Sequence, residues 1–163
     1  MSISRKVAYS GAVMALYVAV VFATQSFSFG QYQIRIATAL YALAFHAPFL
    51  TIPLALANML SNLFMGGLGV FDTIGGLIIG LITCGSIVLL KKITSHAVVI
   101  VLPIALAPAF IVPLWLSVVL KLPYLTLVLS LLIGQVISAY TLGIYIIKSR
   151  WIKKLCKGLN QKV

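Results

Sequence analysis

The chain has 163 residues, of which 63% are hydrophobic and 8% charged, and a mean hydropathy of +1.19. Soluble domains carry about 25% charged residues, so a water-soluble globular fold is excluded. Twelve Lys and Arg stand against one acid, Asp72, for a net charge of +11, and a single carboxylate rules out two-carboxylate catalysis.

Six apolar stretches of spanning length follow one another, at about 7–29, 36–50, 52–68, 72–90, 97–119 and 124–147. They predict an all-α polytopic membrane protein: a six-helix membrane domain over 1–147 and a basic amphipathic cytoplasmic tail over 148–163. The first stretch is longer than a signal-peptide core, and Ala23-Thr-Gln25 is a poor cleavage site, so it is expected to persist as a helix. Within it Gly11, Ala15 and Ala19 recur four residues apart, widened by Ala8 and Ala12. Small residues at that spacing form a groove in which another helix, of this chain or of a partner subunit, can pack closely.

Pro48 and Pro53 predict a sharp turn between the short second and third spans. His46, near that turn, is expected to be a satisfied neutral histidine, with proton relay as the alternative. The third span runs into Gly66-Gly-Leu-Gly69, just before Asp72. Irregular backbone at membrane depth is tolerated only beside protein or a water-filled cavity, so the glycines predict a cavity next to the carboxylate. A charge at the centre of a spanning helix costs about 2.5–3.5 kcal/mol on insertion scales, which marks Asp72 as functional. His96 borders the fifth span, whose Pro103, Pro108 and Pro113 predict kinks. In the tail, Ile147, Trp151, Leu155 and Leu159 share one helical face, with Lys153, Lys154 and Lys157 away from it. A helix lying on the inner leaflet is expected. Cys84 and Cys156 fall in different environments, so no disulfide is expected between them.

Charge sets the orientation. Arg5, Lys6, Lys91, Lys92, Lys148, Arg150, Lys153, Lys154, Lys157 and Lys162 fall on one side if both termini are cytoplasmic, leaving only Arg35 and Lys121 outside. These cations cap spans and do not form a stripe, which points to anionic lipid and excludes nucleic acid as a partner.

Phosphate-loop, His-Glu-x-x-His and Cys-x-x-Cys motifs are all missing, so neither enzymatic activity nor a resident metal or cofactor is expected. Most of the polar side chains within spans fall towards the outer half: Gln33, Arg35, Thr38, Asn62, Asp72, Thr73, Gln135 and Tyr140. With Tyr41 and Trp115 near, such a set suits a flat heteroaromatic ligand, the polar groups reading its edge and the rings its face. Structural alternatives are a snorkelling Arg35, an Arg35–Asp72 pair, and Asn62 and Gln135 as interhelical glue.

Three stretches carry a family resemblance: Gln33-Ile-Arg-Ile-Ala-Thr-Ala-Leu40, Asn62-Leu-Phe-Met-Gly-Gly-Leu-Gly-Val-Phe-Asp72 and Gly134-Gln-Val-Ile-Ser-Ala-Tyr-Thr-Leu-Gly143, with Ile111-Val-Pro-Leu114 also fitting. From about residue 7 to 147 the chain resembles the QueT queuosine-precursor transporters, substrate-binding (S) components of energy-coupling-factor (ECF) systems. The resemblance implies a six-helix S-component bundle in a prokaryotic plasma membrane, binding a 7-deazaguanine through Gln33, Arg35, Thr38, Asn62, Asp72, Gln135 and Tyr140. It also implies that Gly11, Ala15 and Ala19 dock onto a transmembrane coupling subunit carrying two ATPases, where the ATP is used. In one respect the chain departs from the family, which reads Arg-x-Ser-Glu-Ala-Leu where this sequence has Arg35-Ile-Ala-Thr38-Ala-Leu40. A solitary proton-driven carrier using His46 and Asp72, and a non-transporting interaction protein, are the rival readings.

Overall fold

The computed structural model describes residues 3–29, 33–66 and 69–160, with side chains described up to residue 156. Among these residues every regular element is helical. Five helices are long and apolar enough to cross a membrane: α1 (Ile3–Ala23), α3 (Pro48–Gly66), α4 (Val70–Ile93), α5 (Ala97–Leu120) and α6 (Tyr124–Lys148). Between the first two lies the shorter α2 (Ile36–His46), and the described chain ends in α7 (Arg150–Asn160).

The second expected span is therefore not a full-length helix. Residues Ile36–Ala42 wind as a 3-10 helix and only Leu43–His46 are α-helical. That gives roughly 20 Å of length, against about 30 Å for the hydrocarbon core. Apolar content made it read as a span, but most of its small apolar residues face protein, while Ile36 is exposed. Ala37, Ala39, Tyr41, Ala42 and Ala44 are all buried, and irregular winding is tolerated where protein surrounds it. The winding also sets register. Thr38 is bonded to Gln135 and His46 to Ile146, so α2 must keep pace with a longer stretch of α6. A 3-10 rise of about 2.0 Å per residue, against about 1.5 Å, lets it do so.

Helix α1 meets the bundle through Val13, Tyr17 and Val21, one face at four-residue spacing. Tyr17 stacks on Tyr41 with centroids 5.7 Å apart. Gly11, Ala15 and Ala19 lie off that buried face and are exposed, so the small-residue groove is not used inside the chain. Helices α3 and α4 approach closely: a Cβ on Gly80 would lie 2.5 Å from the Ala55 Cα.

Prolines divide α5 into Ala97–Ile100, Leu102–Ile111 and Pro113–Leu120, as expected of residues that remove backbone donors. The Phe110 carbonyl accepts the Tyr124 hydroxyl at 2.8 Å. Lys121, at φ 54°, ends the helix in the left-handed conformation, and the Leu122 N–H returns to the Ser117 carbonyl.

In α7, Cys156 is buried and Ile152 packs on the core, while Trp151 is 73% exposed and Leu155 also faces outward. Lys157, Leu159 and Lys162 lie outside the residues whose side chains are described. Both cysteines are free, and burial pushes the Cys156 thiol up. Maleimide labelling of Cys156 at neutral pH is therefore expected to be slow, and to accelerate when Ile152→Asp detaches α7. Equal rates in the two proteins would show that α7 does not rest on the bundle.

Candidate functional site

Six of the seven expected ligand-binding residues, all but Tyr140, line one cavity near the start of α4. Gln33 and Arg35 come from the segment entering α2, Thr38 from α2, Asn62 from α3, Asp72 from α4 and Gln135 from α6. Local backbone explains how they converge. Gly69, at φ 79°, starts α4 in a conformation that side chains rarely adopt, and Asp72 follows in its first turn, where the helix dipole favours an anion. Asn62 opens a π-turn, Asn62–Gly66, a distortion frequent at functional sites. The expected glycine break is only partly visible, because Gly67 and Leu68 lie outside the described residues. Gly66 leaves room for the carboxylate: a Cβ there would lie 2.6 Å from Asp72 Oδ2.

Arg35 is 8% exposed and Asp72 5%. They face the same cavity without pairing. Instead Arg35 Nη1 donates to Asn58 Oδ1 at 2.8 Å, and Asn58 Nδ2 donates to the Gly76 carbonyl at 2.9 Å. The guanidinium also lies over the Phe29 ring, 4.7 Å from its centroid, a cation–π contact. Arg35 is thus held from two sides, and the snorkelling and ion-pair alternatives both give way.

Gln135 is held as firmly. Thr38 Oγ1 donates to its Oε1 at 2.8 Å, with the Arg35 carbonyl 2.6 Å away competing for the same proton. Gln135 Nε2 donates to the Gln33 carbonyl at 3.3 Å. Gln33 itself stands at φ 41°, a conformation few non-glycine residues adopt. Asn62 Nδ2 donates to the Asp72 backbone carbonyl at 2.8 Å, which leaves its own oxygen free.

Among the described residues five buried polar side-chain atoms lack a partner, and four of them belong to this cavity: Arg35 Nε, Asn62 Oδ1, Asp72 Oδ2 and Trp115 Nε1. Buried polar atoms are ordinarily satisfied. The Trp115 indole N–H lies within weak hydrogen-bonding reach of the Asp72 carboxylate, but the geometry is too poor to satisfy either Trp115 Nε1 or Asp72 Oδ2. The orphans comprise two donors and two acceptors, one of each charged. The free volume is about 20 Å³, room for roughly one water, so a ring-sized ligand requires side chains to move.

Tyr140 does not line this cavity; it packs on the core from the π-turn Ala139–Gly143. Five residues beyond Gln135, it lies on a different face of α6. Tyr41 is likewise committed to Tyr17, and Thr73 bonds the Gly69 carbonyl. Asn58 is the residue that sequence reading missed, although its spacing of four from Asn62 puts the two on one face. Trp115 lines the cavity, brought there by the last segment of α5 and seated on Gly75, where any Cβ would collide with its ring.

His46 is the last residue of α2, at the end remote from Arg35 and Thr38. Its Nε2 is 3.2 and 3.1 Å from the carbonyls of Ile146 and Ile147, and it borders a separate cavity with Ser95, His96 and Lys148. A relay joining it to Asp72 has no route through one site. No group of three or more metal-ligating side chains occurs among the described residues.

No curated protein and no solved structure matches the chain significantly. The family model described as QueT transporter matches residues 7–151. A match over nearly the whole chain, on an all-helical apolar bundle, settles the relationship: the chain belongs to the QueT transporter family, a family of membrane transport components and not of enzymes.

Proposed function

We propose that the protein is the substrate-binding subunit of an energy-coupled uptake system and holds a 7-deazaguanine-type queuosine precursor in the Asp72 cavity. One observation carries this reading: the four orphaned atoms of the cavity. A guanine-like edge offers ring and exocyclic N–H donors beside a carbonyl acceptor. Its donors match Asp72 Oδ2 and Asn62 Oδ1, its carbonyl matches Arg35 Nε or Trp115 Nε1, and charged partners make such bonds stronger. Both termini lie in the cytoplasm of a prokaryotic cell in this reading, with α2 as a short sixth crossing and α7 resting Trp151 and Leu155 on the inner leaflet. Calorimetry of the purified protein against 7-deazaguanines tests the substrate; no heat of binding for any of them sinks it.

ATP is used elsewhere, in two ATPase subunits joined through a transmembrane coupling subunit that packs on Gly11, Ala15 and Ala19. Those residues are exposed on α1, and small residues permit close helix approach. Ala15→Leu with Ala19→Leu is expected to cut ATP-dependent uptake by about tenfold or more while leaving ligand affinity within about twofold. Uptake that survives the double substitution would remove this face from the coupling interface.

A further inference from the structure

We propose that the separate cavity beside His96 and Lys148 holds the phosphate of an anionic phospholipid headgroup, given the cytoplasmic termini of the reading above. This cavity, about 750 Å³, lies where the last residues of α2 and α6 meet the start of α5 and the first turn of α7. Lys148 and Lys153 line it. Lys91, in the last turn of α4, adds a third cation, its Nζ 5.2 Å from the centroid of the Phe45 ring that forms part of the wall. Asp72 is the only side-chain carboxylate in the 163 residues, and it stands in the first turn of α4, at the other end of that helix. The three ammonium groups therefore have no side-chain counter-ion at this end of the chain, and the balancing anion has to come from outside.

The wall also says which anion fits. Ser95 and His96 add a hydroxyl and a ring N–H to the lysines, a set of donors suited to phosphate oxygens, which only accept. Beside them Val98 and Val99 line the same cavity and are 51% and 36% exposed. A soluble phosphate gains nothing from that apolar rim, whereas a lipid can lay its first methylenes there. Basic pockets at the cytoplasmic ends of spanning helices recognise anionic headgroups by this combination.

The test is a thermal-shift titration of the delipidated full chain, in neutral detergent, with dioleoylphosphatidylglycerol. A saturable rise in melting temperature is expected. Lys148→Gln with Lys153→Gln is expected to raise the half-saturating lipid concentration about tenfold or more. Arg150→Gln with Lys154→Gln removes two charges from exposed residues that do not line the cavity, and should leave that concentration within about twofold. Equal losses in the two variants would mean diffuse attraction to net charge and overturn the site. So would a rise that never saturates, or no rise at all. An equal response to dioleoylphosphatidylcholine, whose own ammonium offsets its phosphate, would overturn the requirement for an anion. Glycerol 3-phosphate and inorganic phosphate separate the sources: half-saturation by either at the lipid's concentration would overturn the lipid in favour of a soluble phosphate. None of these readouts involves the Asp72 cavity, so each outcome leaves the proposed substrate where calorimetry puts it.

Discussion

Asp72→Asn is expected to weaken binding of a 7-deazaguanine by about ten- to hundredfold, the value of a hydrogen bond to a charged acceptor. The substitution is nearly isosteric, so the cavity keeps its shape. It replaces an acceptor with an amide that can turn an N–H towards a ligand edge made of N–H donors. Stability should move the other way. Asp72 Oδ2 is buried without a partner, and an intramembrane charge is costly, so the variant should melt at the same temperature as the parent or higher. That pairing of lost affinity with kept stability separates a ligand-binding role from a structural one. A structural carboxylate would lose stability along with affinity. Undiminished affinity in Asp72→Asn would end its proposed role.

Gly80→Ala is expected to destabilise the bundle by about 1–3 kcal/mol, the range for overpacking. A methyl group there would meet the Ala55 Cα at 2.5 Å and its Cβ at 2.9 Å. The obstacle is backbone, so no rotamer change relieves it, and α3 and α4 must separate. Their separation would also disturb the site, since α3 carries Asn58 and Asn62 while α4 carries Asp72 and Gly76. Gly85→Ala provides the control on the same helix: a Cβ there meets nothing within 4 Å. Alanine exceeds glycine in helix propensity by up to about 1 kcal/mol, so Gly85→Ala should be neutral or mildly stabilising. Thermal unfolding of both variants in detergent decides the matter; similar melting temperatures would show that Gly80 is not a point of close approach.

Much of this was legible in the sequence because membranes impose few solutions. Long apolar runs had to be helices, and Pro103 and Pro113 mark where one of them is divided, whereas Pro108 sits inside an unbroken segment. Asp72 was conspicuous as the lone acid, and the glycines beside it pointed to a cavity. Length was harder to read. The run at 36–50 is apolar enough to span, yet apolarity does not distinguish lipid-facing from protein-facing residues, nor 3-10 from α winding. Asn58 escaped notice because one amide in an apolar helix reads as packing, and its tie to Arg35 crosses 23 residues of sequence. Tyr140 was grouped with Gln135 by proximity in sequence, whereas helical phase puts them on different faces. The direction of the α1 groove could not be read from spacing alone: Gly11, Ala15 and Ala19 would recur identically whether turned inward or outward, and only the burial of Val13, Tyr17 and Val21 fixes it.

The 3-10 winding of Ile36–Ala42 gives α2 a stroke. Rewinding those seven residues as an α-helix would shorten them by about 3.5 Å, because each residue would rise about 0.5 Å less. His46 is moored to the α6 carbonyls at one end, so the displacement would appear at the other, where Arg35 and Thr38 meet the cavity. About 3.5 Å is also the contact distance between stacked carbon atoms. A change of helical pitch in this one buried segment would thus move Arg35 and Thr38 by about the thickness of one aromatic ring.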